Sequence, residues 1–164
     1  MKIEEVTVLD LATDPRESLG DQVPFFFYRY LSLFAIADSK GAYAQKALFD
    51  GGYKVGTQLV RDMMYTDFDG LAEHFQMNGL AIVTKESDEN GVVRVRLEEC
   101  ATCCGLPPVD MPLCHFDGGI LAGALQAIAK SSTPYGAREI ECAGLGNPSC
   151  LFEIGPSVDM GEEE

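Results

Sequence analysis

Apolar residues in the first half of the chain recur at helical spacing. Residues 24–37 are apolar on all sides, which is typical of a helix that other elements cover or that faces an apolar ligand. Apolar side chains at four-residue steps predict a long helix over 38–63, and a capping aspartate predicts a short helix over 67–78. Weak alternation at 3–11 indicates a strand. The first half is therefore expected to be mostly helical.

The second half combines strand and helix patterns. Short alternating runs bounded by turn residues predict strands, and a longer run with helical spacing predicts another helix. The predicted elements are strands at 80–86, 92–99, 137–142 and 149–154, a helix at 113–132 and a loop at 100–112. The polar segment 87–91 is expected to be the turn of a hairpin that joins the first two of these strands.

Glycines interrupt both of the long predicted helices. Gly51, Gly52 and Gly56 lie inside the first of them, where each costs about 1 kcal/mol relative to alanine. Gly119 and Gly123 give the later helix a narrow face. Glycine lets another group approach a helix backbone closely, so we expect a partner helix, or alternatively a ligand, at these positions.

Length and charge narrow the range of functions. A chain of 164 residues fits one compact domain, which we place at 1–158, followed by an acidic disordered tail at 159–164. Acidic residues exceed basic ones by 26 to 12, and the resulting net charge of −14 would repel nucleic acid. The acidic start of the chain does not resemble a secretion leader, so a cytoplasmic location is expected. The apolar segment 24–37 contains Arg29 and is shorter than a membrane span.

The cysteines are the residues with the most distinctive chemistry. All six lie between positions 100 and 150. In an intracellular chain this clustering favours reduced thiols, metal binding or redox sensing over structural disulfides. Zinc, the metal that such residues most often bind, takes four thiolate, imidazole or carboxylate ligands in a tetrahedron.

One candidate metal site combines residues of the last strand pair and the later helix. Cys142 and Cys150 lie on the two arms of the strand pair, and Cys114 begins the helix, whose N-terminus favours a thiolate. Glu139 precedes Cys142 by three residues, so the two would point to opposite faces of an ideal strand. Joint ligation therefore requires a bulge or bend. His115 is an alternative ligand.

Three further cysteines lie in the segment ECATCCGLP. Cys100 and Cys103 have the C-x2-C spacing of metal sites, and Cys104 adjoins them. Three interpretations remain open: reduced thiols without a role, part of a second metal or iron–sulfur site, or a redox-reactive pair.

Two parts of the sequence resemble the 4-vinyl reductase domain family, which is also described as predicted hydrocarbon-binding proteins. They are GAYAQKALFDGGYKVGTQLV and the later segments LCHFDGGILAGAL and REIECAGLGNPSCLFEI. The family pattern is a cysteine that begins a glycine-containing helix, then Glu-x-x-Cys, and a second cysteine after a glycine-containing turn. The matching positions are Cys114, Gly119, Gly123, Glu139, Cys142, Gly146, Cys150 and Phe152.

The resemblance implies both a fold and a metal. The implied fold class is α/β (α+β), a twisted antiparallel sheet packed on helices like the small subunits of TRAPP vesicle-tethering complexes, and the implied assembly is a homodimer. Sensor domains of phenol-responsive regulators in this family bind zinc through corresponding residues. The ligands implied for this chain are Cys114, Glu139, Cys142 and Cys150. Such a closed site leaves no open position for water, so the zinc would be structural.

The function implied by the resemblance is the binding of a hydrophobic, aromatic or tetrapyrrole-like small molecule by a carrier or sensor. An apolar cavity between the aromatic helix, the long helix and the later helix would hold it. Candidate ligand-binding residues are Phe26, Tyr28, Tyr30, Phe34 and Tyr43. One alternative is a thiol-based redox sensor that acts through a protein partner. Another is an enzyme or accessory protein in vinyl-group reduction, for which the sequence contains no nicotinamide or flavin motif.

Overall fold

Helices and an antiparallel sheet make up the described part of the protein. The computed structural model describes residues 27–29, 31–33, 42–62, 65–156 and 158, of which 27–29 and 31–33 are helical. The longer elements, in chain order, are α1 (Ala42–Arg61), α2 (Phe68–Met77), β1 (Ile82–Glu89), β2 (Val92–Glu98), α3 (His115–Ala129), β3 (Gly136–Glu141) and β4 (Cys150–Gly155). Some predictions, namely the strand at 3–11, the tail at 159–164 and the roles of Phe26, Tyr30 and Phe34, lie outside the described residues.

Local sequence signals set the ends of the helices. The Asp67 side chain accepts a hydrogen bond from the backbone N–H of Gly70 at 2.9 Å and so caps the start of α2. Lys130 ends α3 in the left-handed conformation, with a φ of 53°. α1, α2 and α3 all lie within the ranges that the hydrophobic spacing predicts, and their ends differ by a few residues.

The sheet is antiparallel, with the strand order β1-β2-β4-β3. Asn90 and Gly91 form the tight turn between β1 and β2, and both have positive φ values, 53° and 78°. The turn is shorter than the predicted segment 87–91, because the two strands stay paired up to Glu89 and Val92.

The two faces of the sheet differ in chemistry. Val95 and Ile154 are fully buried on the face that packs against the helices. On the outer face, Glu153 accepts hydrogen bonds from Arg94 and Arg138, each at 2.6 Å, and these three residues line an open groove of about 510 Å³. Such solvent-accessible ion pairs contribute little to stability, so the buried face supplies most of the packing energy of the sheet.

α1 and α3 touch through their glycines, in the largest contact between elements. A Cβ atom added at Gly52 would lie 2.1 Å from the carbonyl oxygen of Phe116, and one added at Gly56 would lie 2.1 Å from that of Ile120. Of the two expectations for these glycines, the partner helix is therefore correct. The two backbones leave no space for a ligand along this contact, so the expected cavity does not lie between α1 and α3.

The architecture confirms the predicted fold class, an antiparallel sheet packed on helices. Gly118 seats the start of α3 on β4, because a Cβ atom there would lie 2.9 Å from the ring of Phe152. This contact places the first turn of α3 beside the first half of β4. No helix in the described ranges has both the length and the apolar character needed to cross a membrane.

Candidate metal centre

Buried cysteines from several parts of the chain meet where α3 begins. Cys114 precedes α3, Cys142 follows β3 and Cys150 begins β4. Cys100 and Cys103 lie in the turn after β2, which we call the cysteine loop (residues 100–105). β4 pairs with both β2 and β3, and this pairing brings segments together that are far apart in the sequence.

The donor atoms of this region form two overlapping groups of four. The first group is Cys114, Glu139, Cys142 and Cys150, and the second is Cys100, Cys103, Cys114 and Cys150. Within each group, all donor atoms lie within 4.8 Å of one another. The structure thus brings together the four residues that the family resemblance implies, and it adds a second group that shares two cysteines with them.

The sulfur–sulfur distances are close to those of ligands around one ion. Cys114 Sγ lies 3.5 Å from Cys100 Sγ and 3.6 Å from Cys150 Sγ. The sulfur atoms of Cys103 and Cys150 lie 3.2 Å apart. A tetrahedral zinc ion with sulfur ligands at about 2.3 Å holds them about 3.8 Å from one another. Small shifts of these side chains would therefore suffice to bind a metal ion.

An irregularity in β3 lets Glu139 and Cys142 share a group. The register between β3 and β4 shifts between Glu139 and Glu141, which is the bulge that joint ligation requires. Glu139 Oε2 accepts a hydrogen bond from the backbone N–H of Cys114 at 2.9 Å. The other oxygen, Oε1, is buried and accepts no hydrogen bond from the described residues. A metal ion would satisfy this buried oxygen.

Burial and mutual contacts shift the pKa values of the donors in opposite directions. Burial raises the pKa of Cys114 and that of Glu139 above their ordinary values. Hydrogen bonds from the Cys103 thiol lower the pKa values of Cys100 and Cys142. The cluster thus contains sulfurs that readily lose a proton beside sulfurs that retain one, and a cation would displace the retained protons. The residues present fit a bound metal ion.

Asp117 is a candidate functional residue that the sequence analysis did not identify. It is 1 % exposed, and burial raises the pKa of its carboxyl group. The Thr102 hydroxyl donates a hydrogen bond to Asp117 Oδ2 at 2.6 Å, and the Cys100 thiol lies 3.8 Å from the same oxygen. The position of Asp117 on the first turn of α3, just after Cys114, is the sequence signal that could have identified it.

The N-terminal helical residues hold the cysteine loop. Arg29 donates a hydrogen bond from Nε to the carbonyl oxygen of Ala101 at 2.8 Å, and another from Nη2 to that of Cys104 at 2.6 Å. The Tyr28 hydroxyl lies 3.3 Å from Thr102 Oγ1. The aromatic helix of the sequence analysis therefore contacts the loop that carries half of the second donor group.

Other predicted site residues lie apart from the donor groups. Among the described residues, His115 belongs to neither group. Cys104 is exposed, whereas Cys100 and Cys103 are 2 % and 1 % exposed. Tyr43 is 80 % exposed on α1. The burial of Cys100 and Cys103 within a donor group favours a metal or redox role over thiols without a role.

A small cavity adjoins the first donor group. It has a volume of about 40 Å³ and lies between the rings of Phe49 and Phe152, with His115 and Glu139 as its polar lining. Ligand pockets usually have volumes of roughly 300 Å³ or more, whereas a single water needs only about 15 Å³. A ring-sized ligand could therefore enter this cavity only if neighbouring side chains moved.

Comparison with known proteins places the second half of the chain in a sequence family. The model of the vinyl-4-reductase domain family matches residues 93–156. The uncharacterized protein MJ0745 of Methanocaldococcus jannaschii is 30 % identical over 132 residues, which are 80 % of this chain and 68 % of the relative. The uncharacterized protein MJ1642 of the same organism is 28 % identical over 138 residues, which are 84 % of this chain and 81 % of the relative.

Solved structures share the fold. A vinyl-4-reductase family protein from Methanocaldococcus jannaschii has a TM-score of 0.60 at 20 % identity, with 82 % of each chain covered. The phenol-responsive sensory domain of the transcription activator PoxR, solved with phenol, has a TM-score of 0.57 at 20 % identity, with 83 % of this chain and 77 % of that domain covered. For trafficking protein particle complex subunit 3 from Naegleria fowleri, covalently bound to palmitic acid, the TM-score is 0.55 at 19 % identity, and 80 % of this chain and 91 % of the subunit are covered.

These matches extend over the sheet, α3 and the donor groups. The residues matched by the family model include nearly all of β2, the whole of β4 and the cysteines from Cys100 to Cys150. The relationship to MJ0745 extends over most of the chain. The protein belongs to the vinyl-4-reductase domain family.

Proposed function

We propose that this protein is a small-molecule-binding domain, a sensor or carrier, whose second half is held together by zinc at Cys114, Glu139, Cys142 and Cys150. The observation that carries the proposal is the convergence of these four donors, all within 4.8 Å of one another and next to a buried carboxylate oxygen. A cluster of this kind fixes α3, β3 and β4 relative to one another.

Zinc is the metal that this donor set favours. Thiolates select soft or borderline metals, and three sulfurs with one carboxylate match the tetrahedral coordination of zinc. All four positions of the ion would be filled by the protein, so the zinc has a structural role. Its binding energy, on the order of 10 kcal/mol, would act as folding energy for the second half of the chain.

The ligand is proposed to be hydrophobic or aromatic. Two proteins of the same fold were solved with such molecules, phenol in the PoxR sensory domain and palmitic acid in the trafficking subunit. In this chain, the ligand would contact the aromatic helix that begins before Phe27. Through Tyr28 and Arg29, a shift of that helix would change the hydrogen bonds to the cysteine loop. Ligand binding and the metal centre would thus be coupled.

Native mass spectrometry of protein purified without detergent tests the ligand proposal, with phenol and palmitate as added probes. We expect a bound apolar molecule, or a mass shift with one probe, together with slower hydrogen exchange in residues 27–33 and in the cysteine loop. Tyr43→Ala is the matched control, because this side chain is exposed and its loss should leave binding unchanged. Absence of any bound species, with unchanged exchange for both probes, would reject the sensor or carrier function.

A second candidate function is redox sensing by the thiols. The observation that favours it is the 3.2 Å distance between the sulfurs of Cys103 and Cys150, which a small movement would bring to the bond length of a disulfide. Hydrogen peroxide would take two electrons and two protons from the two thiols and be reduced to water. Loss of zinc and of two thiols on peroxide treatment, reversed by a reductant, would support this function.

A further inference from the structure

We propose that the cluster binds two metal ions, bridged by the thiolates of Cys114 and Cys150. The proposal rests on the metal site of the proposed function and extends it by a second ion. One ion would be completed by Glu139 and Cys142, and the other by Cys100 and Cys103. Each ion then has two bridging and two terminal ligands, which is a complete tetrahedral set.

The number of donors is the first argument. The two groups together contain six donor residues, whereas a tetrahedral ion takes four ligands. The donors also do not form a single group around one centre. They separate into two groups of four, and the residues common to both are Cys114 and Cys150. Two tetrahedra that share one edge have this arrangement.

The distances agree with a shared edge. Cys114 Sγ and Cys150 Sγ, the proposed bridges, lie 3.6 Å apart. Each bridge also lies close to a terminal ligand of the second group, Cys114 to Cys100 at 3.5 Å and Cys150 to Cys103 at 3.2 Å. Cysteines that bind an iron–sulfur cluster ligate different iron atoms, so their sulfurs are farther apart than donors that meet on one ion. The second group is therefore better suited to a single metal ion.

Burial and charge are the second argument. A single ion in the first group would leave Cys100 and Cys103 as uncoordinated thiols, at 2 % and 1 % exposure. Five thiolates and a carboxylate carry far more negative charge than one divalent cation balances, and buried charge is costly unless it is paired. A second cation reduces this imbalance. The N-terminus of α3, which begins directly after Cys114, adds a positive potential on the same side.

Metal counting on the full chain and its variants tests the proposal. Elemental analysis and native mass spectrometry of zinc-loaded protein should give about two zinc ions per chain. Cys100→Ser and Cys142→Ser should each lower the count from two to one, because each removes a terminal ligand of a different ion. Cys104→Ser is the matched control in the same loop, and it should retain two ions because Cys104 is exposed.

Cobalt(II) titration of the unaltered protein gives an independent test if a variant fails to fold. Ions that share thiolate bridges couple magnetically, so the magnetic moment per cobalt should fall as the second equivalent binds. One ion per chain, unchanged by Cys100→Ser, would overturn the second site and leave the zinc of the proposed function intact. A chain that binds no metal under any of these conditions would overturn both.

Discussion

Replacing Cys150 with serine is expected to release bound metal and to unfold the part of the chain that packs on β4. Cys150 belongs to both donor groups, so its loss affects every ion in the cluster. Structural zinc contributes on the order of 10 kcal/mol, while a whole domain is stable by only about 5–15 kcal/mol. The loss should therefore approach the total free energy of unfolding. Elemental analysis and hydrogen exchange across residues 93–156 measure the two effects.

Two controls separate the role of the metal from the role of the side chain. Cys104→Ser changes an exposed thiol in the same way and should leave metal content and exchange unchanged. A strong chelator added to the unaltered protein should reproduce the unfolding without any substitution. If the chelator removes no metal and Cys150→Ser keeps native exchange protection, the cluster is ordinary core packing and the metal account is wrong.

Gly52→Ala is expected to lower the free energy of unfolding by about 3 kcal/mol or more, the upper range for overpacking. The added methyl group would lie 2.1 Å from the carbonyl oxygen of Phe116, and this backbone atom cannot move unless α3 moves as a whole. Because α3 carries Cys114 at its start, the same displacement should also weaken metal binding. Denaturant titration measures the first effect, and metal content after gel filtration measures the second.

Gly51→Ala is the matched control for this substitution. Gly51 is the preceding residue of the same helix, but a Cβ atom there meets only the Phe116 side chain, at 3.9 Å. Alanine should therefore stabilise the helix by up to about 1 kcal/mol through its higher helix propensity. The two variants should change stability in opposite directions. Equal effects would mean that α1 and α3 are not in backbone contact.

The helices and strands of the second half could be predicted because their hydrophobic periods are clear. The contact between α1 and α3 could be predicted from Gly52 and Gly56, since glycines inside a long helix require a reason such as close packing. Even the bulge in β3 could be predicted conditionally, from the odd spacing of Glu139 and Cys142. In each case the information is local or follows from the spacing of a few residues.

The relation between the two halves of the metal centre could not be predicted, because it depends on the path of the chain after β2. Glu99 adopts a positive φ of 52° there and turns the cysteine loop back toward the start of α3. A glutamate at that position gives no warning of the turn, since such conformations favour glycine or asparagine. The C-x2-C spacing of Cys100 and Cys103 indicated a metal, but not that it would share ligands with the first group.

The aromatic helix shows another limit of pattern. Its apolar composition suggested either core or a ligand surface, but the contacts that the structure describes for Tyr28 and Arg29 are polar and directed to the cysteine loop. Hydrogen bonds to backbone carbonyls across more than seventy residues of sequence leave no trace in hydrophobic spacing. The homodimer and the cytoplasmic location stay predictions.

The most direct test of the metal centre is anomalous diffraction from crystals of the zinc-loaded protein, recorded on both sides of the zinc absorption edge. We expect strong anomalous density within bonding distance of both Cys114 Sγ and Cys150 Sγ, and two separate peaks on opposite sides of that pair. Density maps with no anomalous peak there, in which these sulfurs pack only against one another or form a disulfide, would contradict the account.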